Sequence, residues 1–130
     1  MTDTPGRADS HGIRMNDMIT YNQFLRQVAA VNDCSDLDSY IREQSGSVRI
    51  GGEKETVKMM GVIWDMAHDG MTIKQIAAAC GISVRQVGIR LGIPARTVEQ
   101  WSAGVRNPPE WQMPLIAYAV IADMAGDMDG

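Results

Sequence analysis

A chain of 130 residues with a net charge of −4 has room for one modest hydrophobic core and not for two generous ones. No apolar run nears the length that crosses a bilayer, and the polar stretch 1–14 lacks the apolar centre of a secretory signal, so a cytoplasmic protein without membrane contact is expected. The two cysteines, Cys34 and Cys80, lie far apart with no Cys or His close enough to suggest a zinc cluster, and a disulfide is not expected in a reducing cytosol.

Residues 1–18 are expected to form a disordered arm. Thr20 then caps a helix on which Tyr21, Phe24, Leu25, Val28 and Ala29 fall on one apolar stripe, and Asn32 and Asp33 stop it. Ser35 opens a second, weaker helix with Leu37, Tyr40 and Ile41 on one side. The stretch 45–52 reads as a linker, because its glycines fit neither a P-loop nor a dinucleotide fingerprint and no strand precedes them. Residues 53–68 form a strong helix with Val57, Met60, Gly61, Trp64 and Ala67 at helical spacing, closed by Asp69-Gly70. No segment alternates with period two over a useful length, so the fold class is all-α. Abundant Met suits the irregular gaps between helices.

Three short helices follow, over 72–80, 83–91 and 94–103. Gly81 and Gly92 fall just past helix ends, where a left-handed residue is cheap; Ser83 is placed to cap the second helix, and Pro94 pre-sets φ in the first turn of the third. Two helices crossing steeply over a tight turn need apolar residues at the contact, a small residue before the turn and a glycine in it. Val87, Leu91, Ile93, Val98 and Trp101 supply the first, Gly88 the second and Gly92 the third. An earlier register, through Ile76, Ala77, Gly81, Ile82 and Val87, fits the same template but fails at Arg90, where an apolar residue must face the core; the later register has Trp101 there and is preferred. Trp64 and Trp111 also read as packing residues, and Cys80 as core.

The negative net charge argues against a nucleic-acid partner until its distribution is considered. Residues 1–71 carry 7 Lys/Arg against 11 Asp/Glu, and 108–130 carry 4 acids and no base. Between them, Lys74, Arg85, Arg90, Arg96 and Arg106 face only Glu99, a local +4. A localised basic face matters more for phosphate binding than total charge.

The run from Gly92-Ile93-Pro94-Ala95-Arg96-Thr97-Val98-Glu99-Gln100-Trp101 through Gly104-Val105-Arg106-Asn107-Pro108-Pro109-Glu110-Trp111 resembles the recognition half of lambda-repressor/Cro-type (XRE-like) helix-turn-helix domains, and the resemblance extends over about 53 residues, 72–124. It implies a lambda-repressor-like bundle over 71–125, with 19–70 a helical extension serving as a dimer or partner region and 126–130 a tail. It also implies that helix 94–103 enters the major groove, with Ala95, Arg96, Glu99 and Gln100 at base edges. Arg96 would pair with guanine, Gln100 would read adenine, Ala95 would touch a thymine methyl, and Glu99 would accept from cytosine or hold Arg96. Ser83, Arg85, Thr97, Arg106 and Asn107 would meet phosphates. Three departures stand out: Gly88 replaces the usual Ala, Pro94 replaces the usual Ser or Thr cap, and Pro114 should split a turn at 110–112 from a last helix starting near Met113.

The resemblance thus implies a transcriptional regulator, a repressor acting as a homodimer on double-stranded DNA. The competing reading is an antitoxin-like or mobile-element interaction module that binds a protein through 20–68, with DNA binding secondary or lost. An enzyme needs a convergent acid, base or nucleophile; none is found, His11 and His68 included, and no cofactor or metal is expected.

Overall fold

The structure, a computed structural model, describes residues 19–129 apart from 50 and 69, and side chains as far as Ala125. The arm expected over 1–18 lies outside the described residues. Seven helices make up the described chain: α1 (Tyr21–Asp33), α2 (Leu37–Gln44), α3 (Glu53–Ala67), α4 (Ile73–Cys80), α5 (Val84–Leu91), α6 (Ala95–Ala103) and α7 (Gln112–Asp129). No strand occurs among the described residues, so the all-α class holds. None of their helices is long and apolar enough to cross a membrane.

Thr20 starts α1 with a capping box: its hydroxyl accepts the Gln23 N–H at 3.1 Å, and the Gln23 side chain accepts the Thr20 N–H at 2.7 Å. The buried face differs from the expected stripe. Phe24, Gln27 and Val31 point inward, whereas Leu25 and Ala29 are exposed. Gln27 turns inward because α2 gives its amide partners. The Tyr40 hydroxyl donates to Gln27 Oε1 at 2.9 Å, and Gln27 Nε2 donates to Gln44 Oε1 at 3.2 Å. A polar group whose bonds are satisfied can be buried at little cost. Asp36, not Ser35, caps α2, accepting the Ser39 N–H at 2.8 Å, and that bond holds its carboxyl below the usual carboxylate range.

The face of α3 is also rotated from its expected stripe. Thr56, Met59, Met60, Ile63, Met66 and Ala67 are buried, while Val57 is exposed and Gly61 and Trp64 are half-buried. Thr56 goes inside because its hydroxyl donates to the Gly52 carbonyl at 2.8 Å. Trp64 stacks between Tyr40 (ring centroids 6.1 Å apart) and His68 (5.0 Å).

The first three helices share one core with the last four. Phe24, Met60, Ile63, Met66, Ile76, Val87 and Ile121 belong to one buried cluster drawn from α1, α3, α4, α5 and α7. Tyr21 and Phe24 of α1 meet Tyr118 of α7 at centroid distances of 5.5 and 5.6 Å, and the Tyr118 hydroxyl donates to the Ile19 carbonyl. The core therefore runs across the 70/71 boundary drawn from the sequence. Pro114 sits in the first turn of α7, where its missing N–H breaks no intrahelical bond, and a turn over Glu110-Trp111 precedes it as expected. The tail expected at 126–130 instead continues α7 as far as Asp129. A lone Gly126 costs a helix roughly 1 kcal/mol without ending it, and no proline follows.

Candidate nucleic-acid interface

Helices α4, α5 and α6 are three copies of one unit. Thr72, Ser83 and Pro94 precede them at intervals of eleven residues. Each helix carries an exposed base at its second position (Lys74, Arg85, Arg96) and, two residues on, a β-branched side chain with 0% exposure (Ile76, Val87, Val98). Each ends on a left-handed glycine: Gly81 (φ 70°), Gly92 (φ 71°) and Gly104 (φ 76°). The next residue, Ile82, Ile93 or Val105, donates its N–H back to Ala77, Gly88 or Gln100 at 3.0, 2.9 and 3.0 Å. This repetition is why two registers of the sequence fit one template.

The units differ where the sequence pointed. Arg90 occupies the position held by Trp101 one unit later. It is tied to α7 by a 2.6 Å ion pair with Asp123. Trp101 lies half-buried against the core. Gly88 is buried between α5 and the turn: a Cβ there would stand 2.9 Å from the Ile93 carbonyl oxygen and 3.3 Å from Val98 Cγ2. Ser83 caps α5 as expected, accepting the Gln86 N–H at 3.0 Å. Pro94 is corrected from first-turn residue to N-cap: its ψ of 140° is extended, so the helix begins at Ala95.

On α6, Ala95, Arg96 and Glu99 are exposed, Thr97 and Gln100 are half-buried, and Val98 is inside. Ser83 and Arg85 are exposed at the start of α5, and Arg106 and Asn107 in the loop after α6. The Gln100 carbonyl receives both the Val105 and the Arg106 N–H, at 3.0 and 3.4 Å, which fixes the start of that loop relative to α6. Among the described residues, Arg85, Arg96 and Arg106 make no ion pair, and Glu99 does not hold Arg96. With Lys74, likewise exposed and in no ion pair among the described residues, four cations of this segment remain available to an anionic partner.

Several surface residues escaped the sequence reading. The sequence counts Lys74 in the basic segment without giving it a contact, and the eleven-residue interval puts it at the exposed position of Arg85 and Arg96. Trp111, expected to pack, is 66% exposed. The inward face of α7 runs through Met113, Ile116, Ala117, Val120 and Ile121, a helical spacing that leaves position 111 outside it. Ile89 and Val105 are also exposed.

Neither thiol is primed for chemistry. Both cysteines are free. Cys80, half-buried rather than fully in the core, is pushed up to about 11 by burial, with Arg90 opposing. Cys34 is raised by desolvation and then by the Glu43 carboxylate beside it. Alkylation by iodoacetamide at pH 7.5 should therefore be slow at both sites in the native protein, quickening as pH rises, and fast once urea unfolds the chain. Rapid native labelling of Cys80, read by mass spectrometry, would contradict its burial. Among the described residues no group of three or more His, Cys, Asp or Glu could hold a metal ion. No family model, curated protein or solved structure matches this chain.

Proposed function

We propose that α5, the turn Gly92-Ile93-Pro94 and α6 act as a lambda-repressor/Cro-type helix-turn-helix, and that the protein is a cytoplasmic, sequence-specific DNA-binding repressor working as a homodimer. The observation that carries this reading is the orientation of α6: Arg96 is exposed and without an ion pair among the described residues, while Val98 and Trp101 on the same helix turn inward. Ala95, Arg96, Glu99 and Gln100 then face base edges, and a bidentate arginine–guanine pair is worth roughly 1–3 kcal/mol of discrimination. Ser83, Arg85, Thr97, Arg106 and Asn107 contact phosphates. The Ser83 hydroxyl, used as an acceptor within its cap, still has its proton to donate. Two copies of so short a reading helix, one helical turn of DNA apart, supply the contacts one copy lacks.

Gel shifts against the DNA upstream of the protein's own gene, at two salt concentrations, test this. Arg96→Ala should lose roughly tenfold or more on the preferred site and little on other duplexes. Arg106→Ala should weaken binding to every duplex alike and reduce the salt slope by about one. Weak binding that is equal on all duplexes and unaffected by Arg96→Ala would favour the second reading, a protein-interaction module working through 20–68. The acid excess outside the central segment is what speaks for it.

A further inference from the structure

Helices α3, α4 and α7 leave a cavity of about 340 Å³ between them. Met59 and Val62 of α3, Ala78 and Ala79 of α4, and Ile121 and Met124 of α7 line it. The cavity is half-open to solvent, with Ala78 of its wall exposed. Here α4 presents two alanines where larger side chains would close the gap. The volume lies at the low end of the range of about 300–1,000 Å³ found for small-ligand sites. The cavity opens beside two charged residues of α3, Glu55 and Lys58. Glu55 leans back over Gly52: its Oε1 lies 2.7 Å from where a Cβ on that glycine would stand. It thus sits at the amino-terminal end of α3, where a negative charge is favoured. Lys58 is exposed and makes no ion pair among the described residues, in a chain with 16 acids and 12 Lys/Arg.

We propose that this cavity binds a small carboxylic acid with an apolar body. The hydrocarbon lies among the methionine, valine and alanine side chains, and the carboxylate meets the Lys58 ammonium at the mouth. With the Glu55 carboxylate drawn back over Gly52, an apolar pocket with the Lys58 ammonium at its rim complements an acid better than an amine or a neutral molecule.

Titration of the full chain with hexanoate and hexanamide, followed by calorimetry without DNA, tests the assignment separately from the DNA-binding reading. Hexanoate should bind with a dissociation constant of about 1 mM, as fits so few heavy atoms. Hexanamide should bind roughly three- to tenfold more weakly. Lys58→Gln should bring hexanoate down to the level of hexanamide and leave hexanamide unchanged. Ala79→Leu, which fills the cavity, should abolish both. Equal binding of acid and amide, insensitivity to Lys58→Gln, or no saturable binding of hexanoate would each overturn the proposal. Lys58 is exposed, so its variant keeps the test decisive even if Ala79→Leu unfolds the chain.

Discussion

Phe24→Ala should cost about 3–5 kcal/mol of stability, and the loss should appear in both halves of the chain at once. Phe24 has no exposed surface, and its ring meets those of Tyr21 at 6.4 Å and Tyr118 at 5.6 Å. Removing it opens a cavity between α1 and α7, and α7 is also the helix that Asp123 ties to Arg90 of α5. For a small domain holding about 5–15 kcal/mol in total, such a loss leaves a marginal protein. Urea unfolding followed by far-ultraviolet circular dichroism and by tryptophan fluorescence should show one coincident transition, displaced to lower urea with unchanged steepness. The fluorescence reports on half-buried Trp64 in the first half and half-buried Trp101 in the second, with exposed Trp111 adding a signal that changes less on unfolding. Two transitions, with only the earlier one moved by the substitution, would mean that residues 19–70 fold apart from the rest.

That joint core was the least legible feature of the sequence, whereas the segment 72–103 was legible almost to the residue. The difference is physical. Helices α4 to α6 are short and bounded by local chemistry: the Thr72 and Ser83 hydroxyls that accept the Gln75 and Gln86 N–H groups, and glycines that alone adopt positive φ cheaply at the exits. Such signals need no knowledge of tertiary partners. The faces of α1 and α3 do need it. A search for apolar stripes passes over Gln27 and Thr56, and both are buried because Tyr40, Gln44 and the Gly52 carbonyl stand ready for them. It accepts Leu25 and Val57, which are exposed because the inward direction was set elsewhere. Arg90 shows the same limit from the other side. Its charge marked it as misplaced in a core, but the residue that accommodates it, Asp123, lies 33 positions away on α7. At the candidate interface, residue types and helix boundaries were readable. The orientation of α6 was inferred from Val98 and Trp101. The exposure of Trp111 was missed because a tryptophan near a helix start gives no sign of which face it joins.

Gly88→Ala should destabilise the protein by about 1 kcal/mol, although it replaces glycine by the best helix former in the middle of a helix. On propensity alone the change would gain roughly 1 kcal/mol. The contact decides otherwise. The new Cβ would stand 2.9 Å from the Ile93 carbonyl oxygen, closer than real Cβ atoms approach, and that oxygen belongs to backbone, not to a side chain that can swing away. The Ile93 N–H is already bonded to the Gly88 carbonyl at 2.9 Å, so the turn is held against Gly88 and cannot retreat without lengthening that bond. Overpacking of this kind costs roughly 1–3 kcal/mol and outweighs the gain. Gly88→Val adds a branch facing Val98 Cγ1 and Cγ2, which lie 3.5 and 3.3 Å from the Cβ position alone, and should lose about 3 kcal/mol. An alanine would therefore not fit here unless the turn moved, and the glycine permits the close approach of α5 to the turn and to Val98. Urea midpoints of the two variants settle the sign. A higher midpoint for Gly88→Ala would mean that the turn stands further off than 2.9 Å implies. Because the turn sets the direction in which α6 leaves α5, the proposed function adds a second expectation: Gly88→Val should weaken duplex binding under conditions where the chain is still helical, whereas Phe24→Ala, in a helix that does not pack on α5 or α6, should weaken it only in proportion to the unfolded fraction.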